Sequence, residues 1–151
     1  MKTIIKYLAI LLILLNISCC VNQKKKDEEQ IRETVQKFWG KAKINDFEGY
    51  KNLVADPGIF SGAMQVDLNF LHKNYEKINP NDILLKNIKV KDTSIAGPSI
   101  HQKYVQYVIK KENDSNNLRR PLIITLLFYK PVGYNKIFNR SILRNHIGWD
   151  K

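Results

Sequence analysis

Cysteine, glycine, proline and acidic residues are all scarce in this chain. Its 151 residues include two cysteines, seven glycines and five prolines, and the cysteines are neighbours, Cys19 and Cys20. A chain with no cysteine after position 20 has no disulfide framework, no thiol nucleophile and no cysteine-held zinc in its globular part. Acids number 14 against 25 basic residues, a formal charge of +11. Between Thr93 and Trp149 the only carboxylates are Glu112 and Asp114. Both fall in a predicted hairpin loop, so the strands offer no carboxylate base. His72, His101 and His146 are scattered, without His-Glu-x-x-His spacing, and neither a metal nor a cofactor is expected. A glycine-rich phosphate loop and a serine nucleophile elbow are also missing. The first apolar run, Tyr7 to Leu15, is nine residues long, well short of the roughly 20 that a membrane-spanning helix needs.

With 44% apolar and 26% charged residues, the chain has a globular balance and length for one domain. Its start has a different character. A short basic stretch, Met1 to Lys6, precedes the apolar run, which ends in Asn16-Ile17-Ser18-Cys19-Cys20. This is the layout of a secretory signal. A small residue followed by cysteine at the end of such a run resembles the lipobox of bacterial lipoproteins, in which the cysteine is acylated and becomes the mature N-terminus. Cys19 is the favoured lipidation site, with Ser18 at the cut, and Cys20 is the alternative, with Ile17 well placed. The resemblance implies a signal peptide over 1–18, an envelope location and a membrane partner reached through the N-terminal lipid. A polar tether is expected over 19–27 and a domain over 28–151.

Within that domain Ile31, Val35, Phe38, Trp39 and Ala42 draw one stripe along an amphipathic helix. Asp27 is placed as its N-cap, with Gln30 completing a capping box. Asp46 is expected to cap a second helix bearing Phe47, Tyr50, Leu53 and Val54. Residues 59–63 suggest a short strand, and Asp67 is expected to cap a third helix bearing Leu68, Leu71, Tyr75 and Ile78. The period then changes to two. Ile88 to Lys91 and Val105 to Ile109 alternate, Leu122 to Tyr129 is a continuous apolar run, and a last strand spans about Lys136 to Trp149. Turn-rich connections join them as a meander. The result is an α+β fold of three N-terminal helices followed by a four- to five-stranded antiparallel sheet.

An opening helix with Phe38-Trp39, then Asn45-Asp46-Phe47, and this order of elements ending at Trp149 resemble nuclear transport factor two-like domains. That resemblance implies a long helix packed across a curved, cone-shaped sheet with a pocket at the wide end. The family includes isomerases and dehydratases as well as members without demonstrated activity. Strand parity and position nominate Tyr50, Tyr75, Tyr107, Asn139, His146 and Trp149 as pocket lining for a small amphipathic ligand. An acid–base enzyme using Asp46 or His146 is the competing reading.

Charge supplies the remaining signal. Residues 101–151 carry ten basic side chains against three acids. Arg119, Arg120, Arg140 and Arg144 are the candidate anion contacts, and a basic sheet face of this kind also suits an inhibitor or immunity-type partner for an acidic protein. Export argues against nucleic acid as the partner. Leu122 to Tyr129 is apolar on both parities, which suggests a covered outer sheet face, as in a homodimer. Taken together, the expectation is a non-enzymatic envelope lipoprotein that binds a small ligand or an envelope protein.

Overall fold

A computed structural model describes residues 2–56, 61–93, 102–109 and 122–143. Helix α1 spans Lys2–Lys43. Its stripe is buried as the spacing predicts, with Ile31, Val35, Phe38, Trp39 and Ala42 all fully inaccessible. The helix does not begin at the expected cap: Asp27 lies in its interior. Residues 19–27, expected as a tether, are likewise helical. Lys24 to Gln30 contains no glycine or proline and consists largely of good helix formers, so a helix propagates through it without a stop signal.

The other end of α1 is sharply terminated. Asn45 adopts a left-handed φ of 54°, Asn45 N–H donates to the Ala42 carbonyl and Asp46 N–H to that of Lys41. This is a Schellman closure with asparagine in the place usually held by glycine. His72 Nδ1 lies 3.1 Å from the Ala42 carbonyl and 3.0 Å from that of Lys43. Both neighbours are acceptors, so Nδ1 carries the proton and closes the remaining helix end.

Helix α2, Phe47–Lys51, starts at Asp46 as expected, with the carboxylate accepting from Gly49 N–H. Helix α3 spans Ser61–Lys73, so residues 61–63 are helical rather than a strand. Asp67 sits within α3 and does not cap it. A 3₁₀ turn at Tyr75–Lys77 and a one-turn helix α4, Pro80–Ile83, lead to the sheet. Asn79 caps α4 by accepting from Asn81 N–H.

The strands are β1 (Lys91–Thr93), β2 (Gln102–Ile109), β3 (Leu122–Tyr129) and β4 (Asn139–Leu143), antiparallel in the order β1-β2-β3-β4. The predicted meander therefore holds among the described residues. Residues 88–90, expected to begin the first strand, precede it. The inner face carries Val105, Tyr107 and Ile109 of β2 and Ile124, Leu126 and Phe128 of β3, packed in one core with the α1 stripe and with Met64, Leu68 and Leu71 of α3. Tyr104 and Leu127 are opposite each other on the other face, where they are 1% and 5% exposed in the single chain. Both-sided apolarity in β3 is thus met at that point without a second copy.

The chain enters β4 through a change of partner. Ile137 exchanges hydrogen bonds with the α2 exit, its N–H donating to Leu53 and its carbonyl accepting from Ala55, before Phe138 N–H joins the β3 edge at Leu127. This switch shifts the alternation. Ile137 is buried, but it is Arg140 that lies opposite the core residue Leu126, while Asn139 is opposite Leu127 and exposed. The parity expected from Ile137, which placed Asn139 inward, is therefore reversed in β4. Among the described residues no helix is long and apolar enough to cross a membrane.

Candidate functional site

Three of the nominated aromatic residues meet through α1. Phe38 and Trp39 are consecutive on the buried stripe, and their rings touch edge to face at 5.0 Å between centroids. Phe38 reaches Tyr50 of α2 at 5.4 Å. Trp39 reaches Tyr107 of β2 at 4.9 Å and Tyr75 of the 3₁₀ turn at 6.2 Å. Edge-to-face contacts at these separations are the favoured geometry for aromatic pairs. Phe38, Trp39, Tyr50 and Tyr107 are at most 3% exposed, so the rings fill the space between helix and sheet instead of lining an opening.

The polar atoms of this cluster are unusual. Trp39 Nε1 and the hydroxyls of Tyr50 and Tyr107 are buried without a hydrogen-bond partner among the described residues. The Trp39 indole lies close enough to Tyr107 to favour its charged form, and Arg140 does the same for Tyr50, yet neither approach has the distance and angle of a formed hydrogen bond. Burial is the dominant influence on both phenols and drives their pKa values upward. Both remain neutral at physiological pH. A neutral phenol donates a hydrogen bond and does not serve as a general base.

Charge approaches the cluster from β4. Arg140 Nε donates to Asp67 Oδ2 at 2.8 Å, and the guanidinium lies 5.7 Å from the centre of the Tyr50 ring. Planar guanidinium groups are suited to pairing and stacking at once. The candidate anion contact Arg140 is thus already engaged with a carboxylate of α3. Asp46, the alternative catalytic acid, is held by Lys41 Nζ at 2.7 Å and by Gly49 N–H at 2.9 Å. These two hydrogen bonds, the lysine first, lower its pKa below the ordinary carboxylate range. It is built as a helix cap.

A groove of about 510 Å³ opens on the flank of α1 between Arg32 and the segment from Asp82 to Val90. Lys86 and Lys89 join Arg32 there against the single acid Asp82. Arg32 is fixed across the groove by donating to the Ile88 carbonyl at 3.2 Å and to Glu28 at 3.1 Å. Asp82 also raises the Tyr107 pKa through its charge, which sets the groove within electrostatic reach of the aromatic cluster. Nothing in the sequence pattern marked this groove, because Arg32 comes from α1 and Lys86 and Lys89 from the connection between α4 and β1.

Of the remaining nominated residues, Asn139 is exposed and accepts a hydrogen bond from the Arg140 backbone. Arg119, Arg120, Arg144, His146 and Trp149 lie outside the described residues, as do the side chains of Cys19 and Cys20. Among the described residues no group of three or more histidine, cysteine or acidic side chains is placed to hold a metal. No protein-family model, curated protein or solved structure matches this chain.

Proposed function

We propose that this protein is a bacterial envelope lipoprotein, anchored through an acylated Cys19 or Cys20, whose nuclear transport factor two-like domain binds a partner without turning it over. The reading of the fold extends to the family's cone, with α1 lying across the sheet. The observation that carries the binding reading is the filled interior. The rings of Phe38, Trp39, Tyr50 and Tyr107 fill the space between α1 and the sheet, where the proposed cone would otherwise hold a pocket. The phenols there are neutral, and the neighbouring carboxylate Asp67 is committed to Arg140. Recognition then falls to the surface, where the groove bounded by Arg32, Lys86 and Lys89 suits an anionic group on a small ligand or envelope protein.

Cell fractionation of the expressed full chain, with mass spectrometry of its N-terminal peptide, tests the anchoring. A membrane-bound protein whose acyl group disappears in Cys19→Ala or Cys20→Ala is expected. Unmodified cysteines in a protein found in the soluble fraction would refute it. Chemical-shift changes at Arg32 and Lys86 to Val90 on addition of envelope extract test the groove, and changes confined to the aromatic cluster would instead show that the interior opens.

A further inference from the structure

The residues that follow the cysteine pair are joined to the domain by charge. On α1, Lys24 lies 3.5 Å from Asp92 of β1, and Asp27 lies 3.7 Å from Lys130 at the end of β3. Glu28 accepts from Arg32 at 3.1 Å and stands 4.0 Å from Lys103 of β2, which itself donates to Asp92 at 2.5 Å. Each single surface pair of this kind contributes little, but a network over two turns fixes the helix direction relative to the sheet. Together with the unbroken helical backbone over 19–27, this makes the segment a rigid stalk and not a loose tether.

Charges on the other side of the same turns are arranged along the axis. A helix rises about 1.5 Å and turns about 100° per residue, so Lys26 points away from the side held by Lys24, Asp27 and Glu28, while Lys25 lies on its flank, about 60° from Glu28, and both are exposed. The exposed acids on that outward side, Glu29 and Glu33, come one and two turns farther from the cysteines. Measured along the axis, Lys25 and Lys26 are only about 8–11 Å from Cys19 and Cys20, and Glu33 is about 20 Å from them. The positive rung is therefore within roughly a Debye length of an anchored membrane surface, and most of the negative charge is beyond it. At the same end of the domain Lys130 is exposed and Val132 is 38% exposed. Of the acids at this end, Asp27, Glu28 and Asp92 are occupied by the network, and Glu29, one turn beyond the lysines, is exposed.

We infer that Lys25 and Lys26, backed by Lys130, form a surface that engages anionic lipid headgroups and holds the domain upright on the membrane. This rests on the lipoprotein reading, since the anchor sets which end faces the bilayer. Basic residues next to a membrane gain about a fivefold preference each for an anionic surface, or roughly thirtyfold for the two lysines together.

The test uses the acylated full chain, extracted from its membrane and reconstituted in vesicles of phosphatidylcholine alone or with 30% phosphatidylglycerol, percentages on the order of the anionic content that gives the surface potential at issue. An impermeant amine-reactive reagent then labels exposed lysines, which are quantified by mass spectrometry with Lys37, exposed and a further three turns along α1, as the internal reference. Labelling of Lys25 and Lys26 relative to Lys37 is expected to fall by up to about thirtyfold in the anionic vesicles and to recover in high salt. Equal labelling in the two vesicle types, or protection that is indifferent to salt, would overturn the headgroup surface while leaving the anchor intact. An N-terminal peptide that carries no acyl group would overturn the anchor itself, so the two failures are separable. The Lys25→Gln, Lys26→Gln double variant, probed at Lys130, is expected to lose most of the difference between vesicle types, and an undiminished difference there would also count against the assignment.

Discussion

At one end of the helix–sheet interface Lys103 rises from β2 beneath α1, and at the other Arg140 rises from β4 beneath α2 and α3. Both occupy inner-face positions, opposite Phe128 and Leu126 respectively, and both side chains are largely covered, 9% and 14% exposed. They are stabilised differently. The Lys103 ammonium, a compact and strongly hydrated charge, is surrounded by Asp92 and Glu28. The Arg140 guanidinium has one carboxylate, Asp67, and the face of Tyr50. Lysine needs a cage of acids to leave water, whereas arginine also uses an aromatic surface.

The largest effect should come from emptying the lysine cage. The double substitution Asp92→Asn with Glu28→Gln leaves Lys103 covered and unpaired, and is expected to cost about 3 kcal/mol in denaturant unfolding. Lys103→Met, which removes the charge and keeps the volume, is expected to be close to neutral. If the two variants lose equal stability, the network is not what the covered charge depends on. At the arginine end, Asp67→Asn is expected to cost less, about 1.5 kcal/mol, because Arg140 retains the Tyr50 face. A loss at Asp67 larger than that of the double variant would reverse the comparison.

The two ends also differ in how far the sequence discloses them. Lys103 has the parity of Val105 and Tyr107, but the alternation is read only from Val105 onward, so its covered ion pair is not anticipated although its parity points inward. Arg140 was hidden. Its inward direction depends on the switch of Ile137 from the Val54 bridge to the β3 edge, and no two-residue alternation can pass through a change of ladder. Asp67 was hidden for a related reason. An aspartate before an apolar stripe reads as a cap by local chemistry, but its partner is 73 residues away. By contrast β3 was legible in full, since the eight apolar-rich residues from Leu122 to Tyr129 are the strand. The α1 stripe was legible too, although its start was not, because strong helix formers give no stop signal. Tyr50, Tyr75 and Tyr107 were nominated one by one as pocket lining, and their meeting around Phe38 and Trp39 was not legible, because it depends on contacts between helix, turn and sheet.

Between the two ends lie hydroxyls without a hydrogen-bond partner among the described residues. Tyr107→Phe removes a buried hydroxyl without a hydrogen-bond partner among the described residues and leaves the ring against Trp39, so it is expected to stabilise the domain by about 1 kcal/mol. Tyr50→Phe gives the contrast, since its hydroxyl is close to Arg140 and its charge environment includes Asp67. A smaller gain than that of Tyr107→Phe, or a slight loss, is expected in paired thermal melts. A clear loss at Tyr107 would mean that its hydroxyl has a partner in solution, and would reopen the interior as a place for a ligand.

The smallest effect is the dependence on acid, and it separates the lysine cage from a simple cap. Hydrogen bonding from Lys103, and then the charges of Lys103 and Lys24, lower the Asp92 pKa against the opposing effect of burial. Asp46 is lowered by Lys41 and by the Gly49 N–H. A carboxylate depressed on folding binds fewer protons in the native state than in the unfolded chain, so its stabilisation is present above the unfolded pKa near 4 and is lost as pH falls through the lower native value. Stability should therefore decline on acidification from about pH 4 downward. Asp92→Asn is expected to flatten that decline by removing the native proton deficit at the cage. Asp46→Asn retains an N-cap side chain and should flatten it as well, but with little change at neutral pH. Unfolding midpoints measured across this range would distinguish the two, and an acid limb unchanged in Asp92→Asn would show that Lys103 draws its compensation from Glu28 alone.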